Sequence, residues 1–593
     1  MWEHKDKVHY DPVLSFLMCQ KLCNLRNIII VKQETFSEDL EYALKSVGVN
    51  GKVYNVIYDE MHSKHAKSTV AVSDDMRPEI GAYNSKSYPP YVSPKMHTPY
   101  LDSLASKSLV LERAYVQQAL CGPSRASLLT GRRPDTTHVY KCGKSFRQKG
   151  GNFTTIPQYF KMHGYRSLGM GKIFHAQGIH SDGDDPISWS EPYYHGIRNF
   201  ENLSISWAAI LEEELNSKPL LDEQTTNHAI HTIRRLALDR DTDERPFFLA
   251  IGFRRPHLPF VFPESYLKYY PEVKLPDNPH APVNMPSVAW YQFKRLINYK
   301  DIAYKGGGKI NTTLPDDHVL SLRRANYSSV TWVDSLIGRI LKELDTLELS
   351  ENTIISFIGD HGYLLGEHGE WCKQTNFELS THAPMIIHIP GKTNKGIRSD
   401  SLVEFVDLFP TLVEAAGLIP LPQCLKNSVS MQSCREGLSI LPLLNAPNKP
   451  LRAAAFSQYP RGKFMGYSLR TNRYRYTEWP SFKKSSRFKP AWSKSAGVEL
   501  YDHMIDPEEN VNRAFNRNYK MIIKELSKML RNGWRKALLD SNDIQDEYTM
   551  FINKPLSTVF QENATKTLLF TQFIFVVLFM VSAMIILLTK QRN

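Results

Sequence analysis

The chain has 593 residues, of which 42% are hydrophobic and 23% are charged, and its 35 prolines slightly outnumber its 31 glycines. This composition is typical of a loop-rich globular enzyme and excludes a fibrous or collagen-like chain. Seven cysteines are too few for a disulfide scaffold. The net charge of +12 favours polyanionic partners such as acidic glycans, nucleic acid or anionic membranes, but it does not select one of them.

Residues 1–65 are atypical for the start of a secreted protein. A signal peptide begins with a basic segment that is followed by an apolar core. The apolar run at 28–31 is too short for such a core, and it lies between Arg26 and Lys32. We therefore interpret residues 1–65 as an unusual leader or as an incorrectly assigned gene start.

From Ser68 onward, short apolar runs alternate with helical patterns. Strands are predicted at 68–72, 246–252, 353–358 and 385–389, and helices at 100–108, 123–131 and 330–344. This alternation predicts an α/β fold in which helices cover both faces of a mostly parallel sheet. We expect it to occupy residues 66–445, with its chemistry beyond the carboxyl ends of the strands.

A second, smaller α+β domain is predicted at residues 446–540, with strands within 466–479 and a closing helix at 519–539. Residues 461–494 are rich in Arg, Lys and aromatic side chains, and Glu478 is the only acid among them. Such a stretch is either a surface that binds polyanions or an ordinary solvated face. Before this domain, Cys424 and Cys434 lie close enough in the sequence to close a small loop.

The apolar stretch from 568 to 588 is long enough to span a bilayer. We predict a linker at 541–566, a transmembrane helix at 567–589 and a tail at 590–593. Lys590 and Arg592 favour a cytosolic tail. A GPI-attachment signal is the alternative, although such signals usually end in apolar residues.

The predicted anchor and several Asn-x-Ser/Thr sequons indicate a glycoprotein of the secretory pathway. The sequons are at Asn152, Asn202, Asn311, Asn326 and Asn563. We expect a single-pass membrane protein in the lysosome or at the cell surface, with its catalytic domain lumenal or extracellular.

Acidic residues follow two of the predicted strands. Asp74 and Asp75 come after the first strand, and Asp360 and His361 follow the strand at 353–358. Converging carboxylates repel one another unless a cation lies between them, and calcium prefers oxygen ligands. Taken singly, each aspartate is as well explained by a turn or a helix cap.

Cys121 precedes a predicted helix start, where free N–H groups favour an anion. Arg125 lies one helical turn further on and adds a fixed positive charge. An isolated cysteine here is better explained as a small buried core residue.

The string CGPSRASLLTG that begins at Cys121 resembles the signature of the sulfatase family. The resemblance implies an alkaline-phosphatase-like fold and oxidation of Cys121 to formylglycine by the formylglycine-generating enzyme. One hydroxyl of the hydrated aldehyde would attack sulfur, and the other would then expel sulfate.

Further blocks between about residue 68 and residue 510 also resemble sulfatases. They are SDDMRP at 73–78, GKIFH at 171–175, RPHLPF at 255–260, GDHGYLLGEH at 359–368 and ELYDHMIDP at 499–507. The stretches at 131–140, 151–165, 366–378 and 456–461 resemble sulfatases that act on 2-O-sulfated iduronate. Tyr363 departs from that subgroup, in which a tryptophan is expected.

The resemblance also implies roles for individual residues. The implied ligands of one calcium ion are Asp74, Asp75, Asp360, His361 and the modified Cys121. The implied sulfate and formylglycine contacts are Arg125, Lys172 and Lys373. His175 would take a proton from the diol, and His257 would grip sulfate and protonate the leaving alcohol.

The sequence thus favours an exo-acting sulfatase on 2-O-sulfated iduronate in heparan or dermatan sulfate. The alternatives are a sulfatase for another sugar, a phosphodiesterase or phosphonate hydrolase on the same scaffold, and a catalytically silent membrane protein that binds glycosaminoglycans. We expect no nucleic-acid partner.

Overall fold

The computed structural model describes residues 66–539 except 84–94, 144, 176–182, 240–241, 292–294, 303–308, 427–429 and 484–488. The predicted leader, linker, transmembrane segment and tail lie outside the described residues. Among the helices that are described, none is long and apolar enough to cross a bilayer.

A seven-stranded sheet forms the centre of the larger part of the chain. Its strands are β1 (Lys67–Ser73), β2 (Leu109–Leu111), β3 (Arg166–Gly171), β4 (Phe247–Phe253), β5 (Thr353–Gly359), β6 (Met385–His388) and β7 (Ile397–Ser399). Their order is β7-β2-β6-β5-β1-β4-β3. Every neighbouring pair is parallel except the two that involve β6. The mostly parallel α/β sheet is therefore confirmed, with β6 as its one antiparallel strand among the described residues.

Helices cover both faces of this sheet. The described helices of this part of the chain are α1 (Pro99–Ser106), α2 (Cys121–Thr130), α3 (Pro134–Thr137), α4 (Phe146–Lys149), α5 (Ile156–Met162), α6 (Glu212–Ser217), α7 (Leu221–Leu238), α8 (Asp316–Thr346), α9 (Glu378–Thr381) and α10 (Leu408–Ala415). Side chains of α1, α7 and α8 share one core, and those of α2, α5 and α10 share another. Ala71 of β1 enters the first core, whereas Val70 and Val72 enter the second. Because both faces are buried, β1 reads as a continuous run of small and β-branched residues.

The C-terminal part contains a four-stranded antiparallel sheet. Its strands are β8 (Ala455–Arg461), β9 (Phe464–Arg470), β10 (Tyr474–Phe482) and β11 (Pro490–Asp502), and helix α11 (Lys520–Asn532) packs against it. Leu469, Tyr476 and Leu500 contact Ile522 and Leu526 in this core. The predicted α+β character is present, whereas the exact boundaries at 445/446 and 540/541 stay predictions.

Among the described residues, three short strand pairs lie outside the two main sheets. They are Ala114–Tyr115 with Val403–Glu404, Trp207–Ile210 with Phe260–Pro263, and Leu364–Leu365 with Trp371–Cys372. Cys424 and Cys434 form a disulfide, as their spacing allowed.

Asp334 of α8 docks the start of α1 against the long helix. Its buried carboxylate accepts the backbone N–H groups of Tyr100 at 3.2 Å and Leu101 at 2.7 Å. The N-cap residue Thr98 makes no side-chain cap hydrogen bond, so Asp334 is the acceptor that the first turn of α1 uses.

We predict that Asp334→Ala lowers the free energy of unfolding by about 1–3 kcal/mol, since it leaves two N–H groups without their acceptor. Urea denaturation followed by circular dichroism measures the change. Glu343→Gln on the same helix is the control, because it loses only an ion pair with the exposed Arg234. Equal stability of the two variants would contradict this account of α1.

Candidate active site

Four neighbouring parallel strands deliver polar side chains to one edge of the central sheet. Asp74 and Asp75 follow β1, Asp360 and His361 follow β5, and Lys172 follows β3. The segment after β4 carries Arg254, Arg255 and His257. Because β5, β1, β4 and β3 are adjacent, their carboxyl ends bring these residues together.

Cys121 is the first residue of α2, and it faces this edge. Its Sγ lies 3.4 Å from Nε2 of His361 and 3.9 Å from Oδ1 of Asp75. Burial, with the negative charge of Asp74 next, raises the pKa of the Cys121 thiol well above its usual value. As an unmodified cysteine, this residue is therefore held in its poorly nucleophilic thiol form.

Arg125 cross-links the strand ends beneath Cys121. Its Nε donates to Oδ2 of Asp360 at 2.8 Å, and one terminal nitrogen lies 3.3 Å from Oδ1 of Asp74. The other terminal nitrogen donates to the backbone carbonyls of Lys172 and Ile173. All of this lies in the interior, where an unpaired charge is costly.

Two lysines pair with the aspartates that follow β1. Lys172 donates to Asp74, and Lys373 donates to both carboxylate oxygens of Asp75, with 2.6 Å to Oδ2. Burial alone would raise the pKa of Asp74, but Lys172, His257 and Arg125 hold it well below its usual range. Asp74 is therefore ionised at any physiological pH.

Two histidines also belong to this site. Nδ1 of His257 lies 2.5 Å from the backbone carbonyl of Leu258, so it carries the proton and donates it there. Burial, followed by the charges of Lys373 and Lys172, lowers the pKa of His257 well below its usual value. His175 lines the same cavity.

The carboxylate cluster fits a hard cation. Ligand atoms of Asp74, Cys121, Asp360 and His361 lie within 4.8 Å of one another, and Asp75 belongs to an overlapping group. Nδ1 of His361 lies 2.8 Å from the carbonyl of Gly362. That bond places the proton on Nδ1 and leaves the lone pair of Nε2 facing the carboxylates, as a metal-binding histidine requires.

A second cluster, made of Glu378, His503 and Glu509, lies away from the strand ends. Arg470 and Arg475 pair with its two glutamates. The cluster is thus a buried ion-pair network between α9 and the C-terminal sheet.

A cavity of about 1450 Å³ opens above Cys121. Its lining includes seven of the predicted site residues: Asp75, Cys121, Arg125, Lys172, His175, His257 and Lys373. Asp74, Asp360 and His361 lie directly beneath it, in contact with these residues. The structure thus brings all the predicted site residues together.

Tyr363 also lines the cavity. Its hydroxyl donates to Sγ of Cys372 at 3.3 Å, and Nζ of Lys373 lies 5.8 Å from the centre of its ring. Burial, followed by nearby negative groups, raises the pKa of Tyr363 well above its usual value. The phenol therefore stays a neutral hydrogen-bond donor.

Two kinds of supporting residue were not predicted. Asp222 of α7 accepts the backbone N–H groups of Arg254 and Arg255 at 2.7 and 2.8 Å, which fixes the turn that leads to His257. A Cβ atom on Gly252 would lie 2.2 Å from the backbone of Lys172, so only glycine lets that lysine approach. Asp222 carries no local sequence signal, whereas a glycine that interrupts an apolar strand can indicate such a close approach.

Comparison with known proteins decides the family. A family model described as sulfatase matches residues 27–418. The chain is also 36% identical to human iduronate 2-sulfatase over 509 residues, which cover 74% of this chain and 90% of that protein. The chain belongs to the sulfatase family. It is a hydrolase of sulfate esters, and the family generally uses a formylglycine and a metal ion.

Further matches agree with this sulfatase assignment. The model for the C-terminal region of N-sulphoglucosamine sulphohydrolase matches residues 366–536. A sulfatase of Formosa agariphila is 27% identical over 458 residues, which cover 73% of this chain and 82% of that one.

Solved structures show the same fold. A 2-O GAG sulfatase superposes with a TM-score of 0.57 at 20% identity, over 81% of this chain and 95% of the other. The phosphonate monoester hydrolase of Agrobacterium radiobacter gives the same TM-score of 0.57 and 20% identity, over 79% and 95%.

We predict that a divalent cation, tested as Ca²⁺ and as Mg²⁺, raises the thermal midpoint of the chelator-stripped sulfatase. Binding to the native state alone stabilises it by about 2.7 kcal/mol at a ligand concentration of 100 times Kd. Asp360→Asn should remove the shift, which differential scanning fluorimetry measures. Glu509→Gln, in the ion-pair network, should keep it. An unchanged shift in Asp360→Asn would place the cation elsewhere.

Proposed function

We propose that this sulfatase removes the 2-O-sulfate of iduronate residues in heparan or dermatan sulfate, with a nucleophile made from Cys121. The observation that carries the proposal is the 36% identity to iduronate 2-sulfatase along most of both chains. It is supported by the basic cavity above Cys121, which suits an acidic sugar.

In this proposal the cations of the site hold the sulfate group. Lys172 contacts Asp74, Lys373 contacts Asp75 and Arg125 contacts Asp360, and all three cations line the cavity. Negative charge develops on the sulfuryl oxygens and on the leaving oxygen as the ester breaks. Fixed positive groups in a water-poor site stabilise that charge without reorganising.

As its hydrate, formylglycine at position 121 would supply two hydroxyls. One would attack sulfur and displace the alcohol, and the other would lose its proton, so that the aldehyde re-forms and the bond from its carbon to the sulfate oxygen breaks. The thiol of the unmodified cysteine is unsuited to this role, because burial keeps it protonated. His175 is the proposed base that accepts the proton of the diol.

His257 is the proposed acid for the leaving alcohol. Its Nδ1 proton is committed to Leu258, so Nε2 is the nitrogen that exchanges a proton with the substrate. Lys373 and Lys172 disfavour its protonated form. A bound sulfate ester would offset those charges and favour protonation where the leaving group needs it.

The proposed metal is one calcium ion held by Asp74, Asp75, Asp360, His361 and the modified Cys121. Their mainly oxygen donor set suits calcium. When bound, the ion supplies positive charge that polarises sulfate oxygen.

We also propose that the chain enters the secretory pathway, where the formylglycine-generating enzyme converts Cys121, and that residues 567–589 anchor it. The sequon residues Asn152, Asn202 and Asn311 are exposed and open to glycosylation. Asn326 is buried on α8, so its sequon is unsuited to a glycan in the folded protein. The lysosome and the cell surface both agree with this topology.

The experiment is a substrate panel for the full chain from animal cells. It compares a 2-sulfated iduronate glycoside with glucosamine 6-sulfate, glucosamine N-sulfate and aryl phosphate. We expect the highest kcat/KM for the iduronate substrate. Cys121→Ala should lower kcat by about 10³-fold or more, since the nucleophile is lost.

Preference for another sulfated sugar would overturn the substrate assignment. Faster turnover of the aryl phosphate would favour a phosphate or phosphonate hydrolase. Salt-sensitive heparin binding without any turnover would favour the silent glycan-binding protein.

A further inference from the structure

The cavity above Cys121 is larger and more basic than a single sulfate group requires. Its volume of about 1450 Å³ exceeds the roughly 300–1,000 Å³ of common small-molecule sites. Its lining contains seven Arg and Lys residues against four Asp and Glu residues. The volume and the predominance of positive side chains together suit a substrate that carries more than one anionic group.

Five of these seven cations already have carboxylate partners. Arg125, Lys172 and Lys373 pair with the aspartates of the floor, as described above. Arg147 donates to both oxygens of Asp184 at 2.6 Å, and Arg254 pairs with Glu201. Each of these five therefore also has an anionic partner within the protein.

Arg198 and Arg295 differ from the other five. Both are exposed and line the cavity. Within the part of the chain that the structure describes, no carboxylate forms an ion pair with either guanidinium. The two arginines belong to segments that are far apart in the sequence, and the fold places both in the wall of the cavity.

Arg295 lines the cavity together with Cys372 and Lys373. Burial raises the pKa of Cys372 to about 11, and Arg295 is one of the charges that oppose this rise. Cys372 directly precedes Lys373, which pairs with Asp75 on the cavity floor. An anion bound to Arg295 would therefore share this cavity with a sulfate held by Lys373.

We propose that Arg198 and Arg295 form a second anion subsite, which binds another negatively charged group of the substrate whose sulfate lies at Cys121. The inference rests on the proposed function, because it takes a charged sugar chain as the substrate. The second group is a carboxylate of the attacked uronic acid or a sulfate on the neighbouring sugar. A guanidinium binds either anion through two parallel hydrogen bonds.

The test uses the full chain with converted Cys121 and four substrates. These are 4-nitrophenyl sulfate, a 2-sulfated iduronate glycoside, the same glycoside with its carboxylate reduced to an alcohol, and a disaccharide with a second sulfate. Arg198→Gln, Arg295→Gln and the double variant are compared with the wild type. Arg517→Gln is the control, because Arg517 is exposed and lies outside the cavity lining.

We expect the double variant to raise KM for the charged sugar substrates by about 10-fold or more, since charge-assisted hydrogen bonds are lost. Turnover of 4-nitrophenyl sulfate should change less than about 2-fold. If the reduced glycoside is handled equally by the wild type and the variant, the carboxylate is the second group. If only the disulfated disaccharide is affected, the second group is the neighbouring sulfate.

Equal effects on all substrates, or no effect on any, would overturn the second subsite while leaving the sulfatase activity intact. Failure of the converted wild type to hydrolyse any sulfate ester would overturn the proposed function together with the subsite. Activity on 4-nitrophenyl sulfate therefore separates the two failures.

Discussion

The active-site end of the molecule depends on a buried set of alternating charges where β1 and β5 end. Arg125 contacts Asp74 and Asp360, which follow different strands, and it also contacts the backbone after β3. Removal of one member of such a buried set leaves an uncompensated charge, which typically costs about 3–5 kcal/mol. The start of α2, and with it Cys121, is therefore fixed relative to the sheet by electrostatics as well as by packing.

The same environment limits what Cys121 can do as a cysteine. Burial and a nearby carboxylate keep the thiol protonated, while Lys172 and Lys373 supply positive charge around it. This arrangement is poor for a thiolate nucleophile and good for holding an anionic ester. Conversion of the side chain to a hydrated aldehyde removes this conflict. The hydroxyl of the hydrate can attack the bound ester, and no buried thiolate has to form first.

Much of this arrangement could be predicted from the sequence. The strands that precede Asp74 and Asp360 are apolar runs with polar ends, and the helix after Cys121 ends at Gly131, which adopts φ 62°. The antiparallel direction of β6 could not be predicted, because the pattern of a short, mainly apolar strand does not indicate its direction in the sheet. The helix predicted from 330 to 344 in fact runs from Asp316 to Thr346.

The ion pairs of the site could not be predicted from the sequence, for a different reason. Lys172 and Asp74 are 98 residues apart, and Lys373 and Asp75 are 298 apart, so only the folded sheet brings them together. The family resemblance implied roles for these residues, but it did not indicate which of them form ion pairs. That no described carboxylate pairs with Arg198 or Arg295 also could not be predicted from the sequence, because it depends on where the other charges of the cavity lie.

The central claim is that Cys121 becomes formylglycine and that the chain is an active sulfatase. The most direct measurement is the mass of the peptide that contains Cys121, from full-length protein expressed in animal cells and shown to carry N-glycans. The account predicts an aldehyde in place of the thiol in most molecules. An intact cysteine in glycosylated protein, which has passed through the compartment where conversion occurs, would contradict it.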